Sequence, residues 1–178
     1  MFQRTAVDIC STYPLGVPDT LQRPHEASRV AAVLGGAFAA WACAEVLLGL
    51  IPIAADWAGG VRLHVSDAVE TVAAFGWIVG PVALLVALTS AAVARQVTNA
   101  PLAQLLSHAA VGAVAALLIG VVFGVESGLA LGVAAATGAL SAMVGSFGAR
   151  WASRRTSRVA ALGLLAIGLW LGAVAATG

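Results

Sequence analysis

The stretch that decides the fold is residues 102–149, LAQLLSHAAVGAVAALLIGVVFGVESGLALGVAAATGALSAMVGSFGA, which contains a single charged residue, Glu126. A hydrocarbon core about 30 Å thick is crossed by roughly 20 helical residues. One helix over its roughly 45 apolar residues would be about 67 Å long, twice the bilayer thickness. We therefore predict two membrane spans, 102–125 and 128–149, joined by a tight hairpin at Gly124–Gly128.

Three further apolar stretches are long enough to cross a bilayer, namely residues 30–51, ending at Pro52, 69–93 and 159–176. Backbone amides in lipid must be hydrogen-bonded internally, so spanning segments are helices or strands of closed barrels. The short alternating segments of barrel strands are absent. The sequence predicts an all-α polytopic bundle of about five transmembrane helices, with residues 1–23 as a polar cytoplasmic tail and 24–178 as the membrane domain.

Composition supports the bilayer as the main partner of the chain. Charged residues make up 10% and hydrophobic residues 61%, with a mean hydropathy of +0.98, whereas soluble domains carry roughly a quarter charged residues. No nucleic-acid partner is expected. All nine basic residues are arginine, which together with the abundance of alanine, valine and glycine is typical of GC-rich bacterial genes and favours a bacterial cytoplasmic membrane.

Arginine placement predicts the orientation, because positively charged loops stay on the cytoplasmic side. With the N-terminus inside, eight arginines lie in inside segments and only Arg62 lies outside. The C-terminus is then outside. We expect the arginines between spans to act chiefly as topology signals, with contact to anionic lipid headgroups in addition; they are Arg95, Arg150, Arg154, Arg155 and Arg158.

A cleaved signal peptide is an alternative interpretation of the first span. Signal peptides have an apolar region of roughly 7–15 residues close to the N-terminus. Here the apolar region is longer, and nearly thirty residues precede it. We therefore expect the first span to be retained.

Small residues recur at four-residue spacing on three of the helices. Since lipid provides little hydrophobic drive for helices to associate, such faces act by letting backbones approach closely. One interpretation is that they close the hairpin of the third and fourth helices, and the other is that a second face binds another membrane protein or a second copy. The residues are Gly112, Ala116, Gly120 and Gly124, then Gly128, Gly132 and Ala136, then Gly168 and Gly172.

Glu45 is the charged residue deepest inside a predicted span. A carboxylate at mid-membrane depth costs roughly 2.5–3.5 kcal/mol on insertion scales, so it should face protein or water. It is our candidate proton or cation site. The structural alternative is a neutral or snorkelling glutamate that is hydrogen-bonded to a neighbouring helix.

Two further features concern the second helix. Pro81 removes a backbone hydrogen bond, and we expect a kink there. At its outer start, His64, Asp67 and Glu70 have the spacing of a metal site, but Asp67 as the N-cap and Glu70 as the third helical residue is the preferred interpretation. We predict no metal and no cofactor.

Two classes of function fit the sequence. The first is a non-enzymatic accessory or scaffold subunit that packs against other membrane proteins through its small-residue faces. The second is a small permease or channel for a cation or small solute, using Glu45 and polar residues along a path, namely Thr89, Ser90, Thr137, Ser141 and Ser146. An enzyme is least favoured, because no motif pairs a nucleophile with a base.

Overall fold

The computed structural model describes residues 23–60, 64–94 and 100–178, and this part of the chain contains five helices and no strand. Each helix is long and apolar enough to cross a membrane, which confirms the predicted fold class. Most of the predicted tail lies outside the described residues, as does Arg95. The helices are α1 Arg23–Ala58, α2 Val65–Ala94, α3 Pro101–Val122, α4 Gly128–Ala152 and α5 Thr156–Thr177.

Helix α1 is longer than the predicted span, and its predicted end at Pro52 is wrong. The helix continues through Pro52 to Ala58, and its 36 residues correspond to about 54 Å. A proline inside a helix removes one backbone donor and crowds one carbonyl. The helix tolerates the loss of this one hydrogen bond because the residues on both sides of Pro52 keep their helical hydrogen bonds.

The predicted hairpin between the third and fourth spans is present. Helix α3 ends at Val122 and α4 begins at Gly128. Gly124 has a positive φ of 72°, a left-handed conformation that glycine adopts without strain. The Val125 amide donates to the Gly120 carbonyl at 2.9 Å, which ends α3, and the Ser127 hydroxyl accepts from the Ala130 amide at 3.4 Å, which caps α4.

Helix α1 packs most extensively against α4 and α2 and also contacts α5, whereas α3 packs mainly against α4 and less against α2. Sequential helices alternate in direction. The start of α1 therefore lies beside the turn between α4 and α5, where the Ser28 hydroxyl donates to the Ser153 carbonyl at 3.3 Å. We call this the Arg-rich end, since the turn carries Arg154 and Arg155; the opposite, acidic end carries Asp56.

Glycines bring α1 and α4 into direct backbone contact. A Cβ atom added at Gly36 would lie 3.1 Å from the Gly145 carbonyl, and one added at Gly145 would lie 2.9 Å from the Gly36 carbonyl. One turn closer to the Arg-rich end, a Cβ at Gly148 would meet the Gly35 carbonyl, also at 2.9 Å. The pairing of these four glycines was not among our predictions, although it makes the crossing possible.

Helices α3 and α4 meet in the same way at one crossing point. A Cβ at Gly112 would overlap the Gly138 carbonyl, and a Cβ at Gly138 would overlap the Gly112 carbonyl. Nearer the hairpin, a Cβ at Gly120 would lie 2.8 Å from the Leu131 side chain. The α3 side of this contact uses predicted positions, whereas the α4 side uses Gly138.

Adding one methyl group should therefore have opposite effects at two glycines. Gly112→Ala is expected to lower the free energy of unfolding by roughly 1–3 kcal/mol, because the new methyl must displace the α4 backbone. Gly132→Ala has nothing within 4 Å of the added atom and is expected to raise it by up to about 1 kcal/mol through helix propensity.

The measurement is thermal unfolding of the purified protein in one detergent, followed by circular dichroism. Gly132→Ala is the matched control, because the same methyl is added to a helix of the same hairpin. An equal change in melting temperature for both variants would contradict the close backbone contact at Gly112.

Candidate functional site

Glu45 is the largest side chain that is fully buried in the described part of the protein, with 1% of its surface exposed. It lies near the middle of α1. Neither carboxyl oxygen has a hydrogen-bond partner among the described residues. The prediction that Glu45 faces protein is met by its burial, but no hydrogen bond from a neighbouring helix accompanies it.

Glycines of α2 make the space for the side chains of α1. A Cβ at Gly76 would lie 3.0 Å from Glu45 Oε1, and a Cβ at Gly80 would lie 3.2 Å from the indole ring of Trp41. Gly76 and Gly80 are one turn apart, as are Glu45 and Trp41, and the two helices are antiparallel. The carboxyl group and the indole therefore occupy two successive notches on one face of α2.

Helix α5 closes the site from a third side. A Cβ at Gly76 would lie 2.6 Å from Trp170 Cδ1, so Trp170 and Glu45 meet over the same glycine. The Trp170 indole N–H donates to the Ala73 carbonyl of α2 at 3.3 Å, which fixes the ring. The result is a carboxyl group enclosed by α1, α2 and α5.

Trp41 is the polar neighbour of Glu45 on its own helix. Its indole lies close enough to interact with the carboxyl group, but its N–H does not reach hydrogen-bond geometry with any described residue. Phe38 stacks on the Trp41 ring at a centroid distance of 6.4 Å. A carboxyl group beside indole rings can hold a proton or a cation, since an anion and aromatic faces both attract positive charge.

Glu45 lies apart from three cavities in the described part of the bundle. An apolar groove of about 750 Å³ lies between α1–α2 and α3–α4, and another of about 780 Å³ lies between α1 and α5. A third, small cavity of about 90 Å³ lies among α1, α2, α3 and α4. Glu45 lines none of the three.

The polar residues predicted for a solute path are divided between these spaces. Ser90 and Ser146 line the small cavity, whereas Thr137 and Ser141 line the larger groove. Thr89 is exposed on the bundle surface, where its hydroxyl donates to the Leu85 carbonyl at 2.9 Å. None of these residues shares one of the three cavities with Glu45.

At the remaining glycines of the predicted faces, an added Cβ would contact none of the described residues. Gly124 lies in the hairpin turn and not on a helix face, which corrects its assignment to a packing ladder. A Cβ would have nothing within 4 Å at the four others, Gly128, Gly132, Gly168 and Gly172. Ala136 beside them on α4 is exposed.

Pro81 lies inside an unbroken α2, so the predicted kink stays a prediction. The neighbouring Gly80 has a clear contact, because the Trp41 indole packs against it. Within the Gly80–Pro81 pair, Gly80 therefore contributes to the packing of α2 against α1.

At the acidic end, the predicted pairing of residues is partly wrong. Helix α2 begins at Val65, so Asp67 lies within its first turn and is not the N-cap. The potential metal donors that lie near one another are Asp56, His64 and Asp67, with their ligand atoms within 4.8 Å, and Glu70 is not among them. The His64 amide donates to Asp56 Oδ2 at 3.2 Å, which ties the loop to α1.

At the Arg-rich end, Arg158 packs against Trp151. Its guanidinium lies 4.9 Å from the centre of the indole ring and donates to the Trp151 carbonyl at 3.0 Å. Arg150, Arg154 and Arg155 are exposed, as lipid-headgroup contacts require. This end therefore presents several free positive charges.

No family model matches the chain, and no match is found among curated proteins or solved structures. The five apolar helices are consistent with an integral, multi-pass membrane protein.

Sequence reasoning missed most of the surroundings of Glu45. Gly76 and Gly80 repeat at the same four-residue spacing as the glycines of α3, and this signal could have paired them with α1. Trp170 could not have been found in this way, because it follows Glu45 by 125 positions and its approach depends on how α5 packs.

The unpartnered carboxyl group gives a stability prediction. Replacing Glu45 by methionine, an apolar residue of similar length, is expected to raise the free energy of unfolding by roughly 1–3 kcal/mol, since the cost of an unsatisfied buried polar group disappears. The free energy is measured by chemical denaturation in mixed micelles.

Val46→Met is the matched control, because Val46 is adjacent and exposed, and no change is expected there. A stability loss in Glu45→Met of the size seen for ordinary core substitutions would show that the carboxyl group holds the bundle together.

Proposed function

We propose that this protein is a non-enzymatic membrane subunit that associates laterally, through glycine-lined helix faces, with another membrane protein or a second copy of itself. The observation that carries this proposal is that four glycines in membrane-spanning helices have open space where a side chain would be. Every other glycine within a described helix contacts part of the bundle.

The α5 face is the clearer of the two. Gly168 and Gly172 are exposed one turn apart, on the side of the helix opposite Gly163, which packs against Phe38. Helix α5 is thus anchored on one side and uncovered on the other. A partner helix could approach the uncovered backbone closely, as it cannot at a face of leucines.

The α4 face lies in the same half of the bilayer. Gly128, Gly132 and Ala136 follow one another at one-turn spacing and are exposed. Because α4 starts and α5 ends at the acidic end, both faces lie in the half of the bundle nearest that end. The orientation of the chain, with the Arg-rich end in the cytoplasm of a bacterium, is part of the proposal.

The test is the Gly168→Leu, Gly172→Leu double variant. Filling the face is expected to weaken association roughly tenfold, equivalent to about 1.4 kcal/mol, because the partner backbone can no longer approach. Association is measured by quantitative cross-linking in native membranes, comparing the yield of higher-mass species at matched expression.

Val174→Leu is the control, since Val174 is exposed on a flank of the same helix. Equal cross-linking in the wild type and the double variant would reject the α5 face. Loss of cross-linking in the control as well would show that the effect is general and would also reject it.

A second candidate function follows from Glu45. A carboxyl group that is fully buried and unpartnered in a membrane helix is costly, and proteins keep such groups mainly where they bind protons or ions. We propose, as the alternative, that Glu45 holds a proton that a cation can replace when α5 moves. The absence of Glu45 from the lining of the cavities favours the first proposal in the conformation described.

The test uses dicyclohexylcarbodiimide, a lipid-soluble reagent that modifies protonated carboxyl groups. Mass spectrometry of the wild type is expected to show one adduct on the peptide that contains Glu45, and none in Glu45→Gln. Glu126, which is exposed, serves as the internal control for labelling in water.

A cation site also predicts that added Na⁺ or a lipophilic cation lowers the yield of the adduct. An unmodified Glu45 would reject proton binding at this position. An adduct whose yield no cation changes would reject cation exchange.

A further inference from the structure

The small cavity has polar side chains from three helices, α2, α3 and α4, on its wall. It lies in the half of the bundle nearest the Arg-rich end and extends over Ala32–Ala40 of α1, which corresponds to about 12 Å. Helices α2 and α4 form two other walls, and His108 is the contribution of α3. Its polar lining residues are Ser90, His108 and Ser146.

Ser90 is the strongest pointer to a ligand. Only 2% of its surface is exposed, and its hydroxyl has no hydrogen-bond partner among the described residues. Serine in a membrane helix ordinarily donates to a carbonyl one turn earlier, as the neighbouring Thr89 does toward Leu85. Ser90 lines the cavity without such a bond, so its hydroxyl is available to a molecule inside.

Ser146 and His108 supply complementary groups. The Ser146 hydroxyl donates to the Met143 carbonyl at 2.7 Å and keeps its acceptor lone pairs. His108 Nδ1 lies 2.6 Å from the Gln104 carbonyl. Because a carbonyl only accepts, Nδ1 carries the hydrogen, which leaves Nε2 as an acceptor in the neutral ring. The three side chains together offer both donors and acceptors.

The volume fits small molecules only. A buried water needs roughly 10–15 Å³ of accessible space and two to four polar partners, and the cavity provides about 90 Å³. We propose that this cavity is a hydrated binding site for small hydrogen-bonding molecules, with water itself as the occupant in the resting protein.

The end of the cavity nearest the middle of the bundle adjoins the larger groove, since Ala40 and Ala83 line both spaces. Trp41 follows Ala40 and packs against Gly80, and Glu45 lies one turn beyond it on α1. Glu45 is not part of the cavity lining. The proposed site depends neither on lateral association nor on a proton at Glu45.

The test compares two adjacent cysteines in a Cys10→Ser, Cys43→Ala background. Ser90→Cys places a thiol at the cavity, and Thr89→Cys places one on the lipid-facing surface of the same helix. Both are treated with methyl methanethiosulfonate, a small neutral reagent that enters lipid as well as water. Only a thiol in contact with water ionises readily and reacts.

Ser90→Cys is expected to react roughly tenfold faster than Thr89→Cys or more, because a thiol in apolar surroundings stays un-ionised. Ser146→Cys, on the opposite wall, should react at the same rate as Ser90→Cys. This variant tests whether the fast reaction is a local effect of one substitution. Equal, slow rates at all three positions would show a dry cavity and overturn the proposal.

Discussion

The structure depends on how closely the backbone of α1 can approach its neighbours. Lipid surrounds the helices with a medium as apolar as their own side chains, so association relies on packing and not on the exclusion of water. Gly36 and Gly145 let α1 and α4 touch through their backbones, and on the other side α2 presents notches at Gly76 and Gly80. With α1 fixed from both sides, α5 packs against both α1 and α2, and α3 is held mainly through α4.

The same arrangement explains how a carboxyl group can remain inside the bundle. Glu45 replaces no hydrophobic contact, because it fills a notch that the α2 backbone leaves open. Its cost is electrostatic and not steric, and the two tryptophans around it exclude lipid and water alike. Ser90 shows a milder form of the same conflict in the half of the bundle nearest the Arg-rich end, since its buried hydroxyl has no partner among the described residues.

The sequence was sufficient to predict the features that depend on composition and on the length of the apolar segments. Five apolar stretches gave five helices, and the pair Glu126–Ser127 correctly marked the hairpin. The burial of Glu45 followed from the cost of a charge in lipid. The errors concern the ends of two helices. Helix α1 continues through Pro52, and Asp67 lies inside α2. The helix-packing faces were harder to predict. The spacing of small residues indicates that a helix can pack closely, but it does not indicate which helix it packs against. Gly112 meets α4, whereas Gly132 on the next helix meets nothing.

The contact between Trp170 and Gly76 has a consequence for how the protein is made. The first helix is synthesised and inserted well before the last one, so until α5 arrives the acidic side chain of α1 lacks its final cover. During that interval the carboxyl group is enclosed by α1 and α2 alone, so the docking of Trp170 against Gly76 and the Ala73 carbonyl is the step that completes its burial.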